Sequence, residues 1–156
     1  MNSQQFAQQF LLGEVEKMKA AEVRLHLLSA MVHGIETAGA LLDTLPFKAK
    51  GQGKKRFALA LKKLFPSGYL EAGNKLDLYG LLRSHISHSM LPAQQIQVHL
   101  KSEDLHLNYS EKGLHISLEA FYNDYQLAIT SLITQIESGK LKEKVIQFDN
   151  LKFKKQ

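Results

Sequence analysis

The chain has 156 residues, a hydrophobic fraction of 44% and a formal charge of +5, which suits one domain burying about two thirds of its unfolded surface. It has no cysteine, and this excludes disulfides, thiolate zinc sites and thiol nucleophiles. The opening Met1-Asn-Ser-Gln-Gln is polar and uncharged, and no run approaches the ~20 apolar residues of a bilayer span. A cytoplasmic protein with no membrane partner is the expectation.

Residues 3–19 predict a first helix, with Ser3 as its cap and Phe6, Phe10, Leu11, Val15 and Met18 at helical spacing. Gly13 weakens it and marks a kink or a break. Residues 20–45 carry the longest helical pattern, in which Val23, Leu27, Met31, Ile35, Ala38 and Leu42 keep the three-four spacing. The small residues Ala30, Gly34, Ala38 and Ala40 allow a second helix to approach closely. His26, His33, Glu36 and Asp43 fall on its polar side, and His33 and Glu36 are candidates to support a site on a neighbouring helix.

Pro46 ends that helix and opens a basic, glycine-containing loop over residues 46–56. Lys48, Lys50, Lys54, Lys55, Arg56, Lys62 and Lys63 fall between residues 44 and 70 with no acid among them, so the remainder of the chain is net negative. Such a local field favours an anionic partner, with nucleic-acid phosphates first. Gly51-Gln-Gly-Lys-Lys lacks the first glycine and the hydroxyl of a nucleotide-binding phosphate loop: Lys48 and Lys55 stand in those places. Residues 54–65 predict a short helix with Phe57, Leu61, Leu64 and Phe65 inward. The amides at its start, beside Lys54, Lys55 and Arg56, suit a phosphate. Few aromatic residues accompany these lysines in the sequence, so base stacking is not expected there. Residues 67–75 read as a connector rich in turn formers.

Residues 77–91 (Asp-Leu-Tyr-Gly-Leu-Leu-Arg-Ser-His-Ile-Ser-His-Ser-Met-Leu) predict a helix closed by Pro92. Leu78, Tyr79, Leu82, Ile86 and Met90 share a core face, with Arg83 on its shoulder. His88 lies about 140° round the helix from Arg83. Beyond Pro92 the period changes to two: Ile96, Val98 and Leu100, then Leu105 and Leu107, then Leu114, Ile116 and Leu118. A small antiparallel hairpin or meander over 94–118 is the expectation, with His99, His106 and His115 as ordinary polar-face residues on separate strands and no metal site. Residues 119–137 return to helix, residues 141–148 read as a marginal last helix, and 149–156 form a basic tail.

Arg83, Ser84 and His88 form an Arg-polar-x3-His pattern late in a helix of a mainly α protein. Together with Leu78-Tyr79 before it and Met90-Leu91-Pro92 after it, the pattern resembles the HEPN superfamily. The basic loop and the helix after it resemble small bacterial members. The resemblance implies a single HEPN-like domain over 1–156: a bundle of four to five helices with a small antiparallel β insertion before the last long helix. It further implies a homodimer through the 77–91 helix and a metal-independent endoribonuclease without cofactors. In that chemistry His88 is the acid/base, Arg83 the phosphate clamp, and Ser84 or His85 an orienting neighbour. An antitoxin-type protein is a further partner that the resemblance suggests. Serine in place of the commoner Asn, Asp or His at position 84 keeps a second reading open, a non-catalytic module that binds RNA or a protein through Lys48, Lys50, Lys54, Lys55 and Arg56.

Overall fold

Met31, Val32 and Ala38 have no solvent exposure, and they lie on the helix around which everything else packs. The computed structural model describes residues 1–147, and over these the chain forms six helices and a three-stranded sheet. The helices are α1 (residues 3–20), α2 (Arg24–Leu42), α3 (Gly53–Leu64), α4 (Ser67–Lys75), α5 (residues 79–89) and α6 (Leu118–Glu137). The strands β1 (Ile96–His99), β2 (Tyr109–Ser110) and β3 (Gly113–Ser117) lie between α5 and α6.

Helix α1 is capped by Asn2 rather than Ser3. The Asn2 side chain accepts from the Gln5 amide at 2.8 Å, and the Gln5 side chain accepts from the Asn2 amide at 3.3 Å. Ser3 is buried and accepts from the Lys144 amide instead. Gly13 does not break the helix; it ends a π-helical stretch, Ala7–Gly13, that widens one turn. A turn with Glu22 in the left-handed region (φ 54°) leads into α2.

Helix α2, 19 residues long, meets the length and apolarity of a membrane span. Leu27, Met31, Ile35 and Leu41 spend that apolarity on the core. Its closest partner is α3. At Gly39 a Cβ would collide with the backbone carbonyl of Arg56, so the two helices touch main chain to main chain. The glycine at 39 permits this approach, whereas Gly34 makes room for the Tyr125 ring of α6.

Residues 67–75 form a helix rather than the connector that their glycines and polar residues suggest. Tyr69 and Ala72 are three residues apart, and both are buried. Tertiary burial of that stripe outweighs weak intrinsic propensity. Helix α5 begins with a π-helical stretch, Tyr79–Ser84, and ends at Ser89, where Met90 turns left-handed (φ 62°) before Pro92.

The sheet order is β1-β3-β2. β2 and β3 form the expected antiparallel hairpin, with Tyr109 opposite Leu114. β1 is parallel to β3, with Ile96 opposite Leu114 and Val98 opposite Ile116, so the insertion is mixed rather than an antiparallel meander. The 3₁₀ turn Glu103–Leu105 supplies the return crossing that a parallel pair needs. Gly113 (φ 114°) is obligatory there, because a Cβ would strike the Gln95 carbonyl. Ser117 then caps α6 by accepting from the Ala120 amide at 3.3 Å.

After Gly139 (φ 72°) the chain does not re-enter helix over residues 141–147. It runs back along the N-terminus, where the Ile146 amide donates to the Met1 carbonyl at 2.9 Å and Val145 bridges Asn2. Buried Ile146 and β-branched Val145 favour this extended pairing over a helix. Phe148 and the basic tail 149–156 lie outside the described residues.

Candidate functional site

The widened turn of α5 aims Arg83 at α2. Its Nε forms an ion pair with Glu36 Oε2. Those two atoms are shut off from solvent and, among the described residues, have only each other as partners. Beneath the guanidinium lies the ring of Tyr79, with Arg83 Cζ 5.7 Å from its centroid. Gly53, the first residue of α3, packs where any side chain would collide with the Tyr79 hydroxyl and the Glu36 carboxylate. The basic helix start therefore sits against the Arg83 site.

One turn before Glu36, His33 ties the same two helices together. Its Nδ1 lies 2.7 Å from the Ser29 carbonyl, and since a carbonyl only accepts, Nδ1 carries a proton. Its Nε2 is 2.8 Å from Ser87 Oγ, and Ser87 in turn reaches the Arg83 carbonyl at 2.9 Å. Glu36 and His33 thus hold Arg83 by its side chain and its backbone respectively. Ser84 is half-buried and makes no side-chain hydrogen bond among the described residues. His85 and His88 are exposed, with rings that bond to nothing described. The structure brings Arg83, Glu36 and His33 together and leaves His88 unbraced.

The five basic candidates divide. Lys48, Lys50 and Lys55 are exposed and form no ion pair among the described residues. Lys54 Nζ lies 3.2 Å from Asp77 Oδ1, an exposed pair of little energetic consequence. Arg56 is turned inward: Nε reaches Asp43 Oδ2 at 2.7 Å, Nη1 the Phe47 carbonyl at 2.7 Å and Nη2 the Pro46 carbonyl at 2.8 Å. It is buried and fully occupied, so it shapes the basic loop instead of facing a phosphate. Lys144, from the C-terminal segment, completes the same node through Asp43 Oδ1 at 2.9 Å and the carbonyls of Ala40 and Leu45. Burial by itself pushes the Asp43 carboxyl up, but the hydrogen bonds and charges of Arg56 and Lys144 outweigh it and hold the carboxyl below its usual value.

Sequence spacing places Tyr79 in the core and does not single out Ser87 or Asp77; all three prove to belong to the site. Tyr79 shares the helical stripe of the core residues and packs against the core half-buried, at the start of the π-helical stretch. Ser87, four residues from Arg83, carries the one local signal that was available.

The three histidines of the insertion have specific partners. His99 Nε2 and His115 Nδ1 lie 2.7 Å apart, and Ser110 Oγ is 2.7 Å from His115 Nε2. His106 is not on a strand: its Nδ1 accepts from the Ser117 amide at 3.1 Å, while Nε2 meets the Tyr69 hydroxyl at 2.8 Å. Tyr69 donates to Asp124 at 2.8 Å, and burial, then the Asp124 charge, push its hydroxyl well above the ordinary tyrosine range. This cluster pins α4 to the insertion and α6. Among the described residues no group of three or more histidines and carboxylates is disposed to hold a metal.

With Nε committed to Glu36, the two terminal amino groups of Arg83 have no partner among the described residues and suit an anion. Exposed imidazoles lie a few residues away, and lysines flank the same edge. Compared with protein-family models, curated proteins and solved structures, the chain has no significant match.

Proposed function

We propose that the protein is a HEPN-like RNA-binding protein that pairs through α5 and cleaves RNA without metal. The observation that carries this reading is the Glu36–Arg83 pair, which immobilises Nε and leaves the outer guanidinium edge to accept a phosphate. Lys48, Lys50, Lys54 and Lys55 extend the cationic face along the sugar-phosphate backbone. Arg83 steadies the charge that grows on the phosphoryl oxygens. His88 moves the proton to or from the ribose hydroxyl or the leaving oxygen. Because Arg83 and His88 diverge on one helix, a two-fold partner supplies the complementary motif. An RNA ligand implies a cytoplasmic setting, and an antitoxin-type protein is the corresponding regulatory partner.

One observation favours a second reading, RNA binding without cleavage: nothing among the described residues orients the His88 ring, whereas acid/base imidazoles are held by a third group.

The deciding experiment is cleavage of a mixed-sequence RNA in EDTA by the wild type, Arg83→Ala, His88→Ala and Glu36→Gln. Cleavage lost in the first two variants and reduced about 10- to 100-fold in Glu36→Gln supports the nuclease reading. Salt-dependent binding with no cleavage by any form selects the binding reading. Absence of both overturns the proposal.

A further inference from the structure

Beside the Arg83 site lies a cleft of about 430 Å³, walled by α3, α4 and the turn into α5. Its floor is apolar, from Phe57, Leu61 and Leu76; Lys54, Asn74 and Lys75 stand at its polar edge. Gly73 and Ala58 line it with almost no side chain, and a Cβ on Gly73 would meet nothing nearer than Leu78 Cδ1 at 3.8 Å. The space therefore results from what these positions lack.

Tyr79 belongs to both places. Its ring lines the cleft, packs edge-on against Phe57 with centroids 5.7 Å apart, and also carries the Arg83 guanidinium over it. The shared Tyr79 ring sets the cleft next to the guanidinium, so a ligand held by Arg83 extends towards it across that ring. Lysines at the edge select a negatively charged ligand, and an apolar floor with an aromatic wall selects a flat ring. The volume is in the range of small-molecule sites. Asn74 offers an amide donor and acceptor, and Asp77, whose Oδ1 already meets Lys54 and the Gly80 amide, offers a second acceptor.

We infer that this cleft takes one unpaired nucleobase of single-stranded RNA, beside the nucleotide whose phosphate Arg83 holds. The inference rests on the RNA reading above and adds a base-binding subsite to it. It also reverses the expectation that the lysines have no stacking partner, because the fold carries Tyr79 to them from α5. Such a subsite confers base preference on an otherwise backbone-directed interaction.

The test titrates the full chain with the ribonucleoside monophosphates and, separately, inorganic phosphate, following the amide resonances of Ala58, Gly73 and Asn74. A mixed-sequence RNA is measured in parallel against the wild type, Ala58→Phe, Asn74→Ala and Arg83→Ala, each first shown to unfold cooperatively. A filled cleft is expected to weaken monophosphate binding at least about tenfold in Ala58→Phe. The three amides should move with nucleotides and not with phosphate, and Asn74→Ala should alter base preference while retaining overall RNA affinity within a few-fold. If RNA binds and Arg83→Ala weakens it, but Ala58→Phe changes neither affinity nor base preference, the cleft is no base site and this inference fails alone. If RNA does not bind the wild type at all, the RNA reading fails and takes the inference with it. An acidic peptide is titrated as a third arm, and cleft amides that respond to it and not to nucleotides overturn the inference in favour of a protein ligand.

Discussion

Asp43→Asn tests the node that shapes the basic loop. In the wild type, Asp43 Oδ2 takes Arg56 Nε at 2.7 Å, while Oδ1 takes Lys144 Nζ at 2.9 Å and the Leu45 amide at 3.1 Å. The side chains of Asp43, Arg56 and Lys144 are 15%, 7% and 12% exposed, so two cations depend on one nearly buried anion. Asparagine has one oxygen for these donors and turns an amide donor towards the other, leaving both cations uncompensated. Removing one partner of a buried pair costs about 3–5 kcal/mol, and the residual solvent contact here lowers this to about 2–4 kcal/mol at neutral pH. The pH dependence has a definite sign. The Asp43 carboxyl is held below 3.8 in the folded state, so its contribution is present above the unfolded value and is lost as pH falls through the lower, folded one. Urea unfolding of both proteins should show a constant gap from about pH 7 to about pH 5 that narrows below about pH 4. A gap under about 1 kcal/mol at neutral pH, or one unchanged in acid, refutes the assignment of Asp43 as the anion of this node.

The Tyr125 hydroxyl is buried with no hydrogen-bond partner among the described residues, so Tyr125→Phe should stabilise the protein by about 1 kcal/mol and raise Tm by about 2–4 °C; a lower Tm would show that the hydroxyl is satisfied. Gly39→Ala forces a Cβ into the Arg56 backbone and should cost about 3 kcal/mol or more in denaturant titration, whereas Gly73→Ala, whose Cβ meets Leu78 Cδ1 at an ordinary contact of 3.8 Å, should be neutral or stabilising by up to about 1 kcal/mol. Equal effects at the two glycines would contradict the main-chain contact between α2 and α3. The bond between His99 and His115 ties β1 to β3, so His115→Ala should loosen β1. Amide exchange in β1 should then quicken at constant pH in His115→Ala, and an unchanged rate would show that the backbone ladder alone holds the strand.

Local chemistry by itself determined much of this protein. The long apolar spacing of α2 and α6, the punctuation at Pro46, Pro66 and Pro92, and the change of period after Pro92 were legible because each is a property of neighbouring residues. Where burial comes from elsewhere, local reading failed. Residues 67–75 became helix because Tyr69 and Ala72 find the core, and 141–147 became extended because Ile146 finds a pocket beside the N-terminus. At the site, the residue types at 33, 36 and 83 announced a polar cluster, but only the tertiary structure joined Glu36 to Arg83 and swung Arg56 away to Asp43. It also carried Tyr79 to Lys54 and His99 to His115. Charge and spacing act over one helical turn, whereas a pairing between residues tens of positions apart is decided by which packing of the whole chain leaves the fewest buried donors and acceptors unmet.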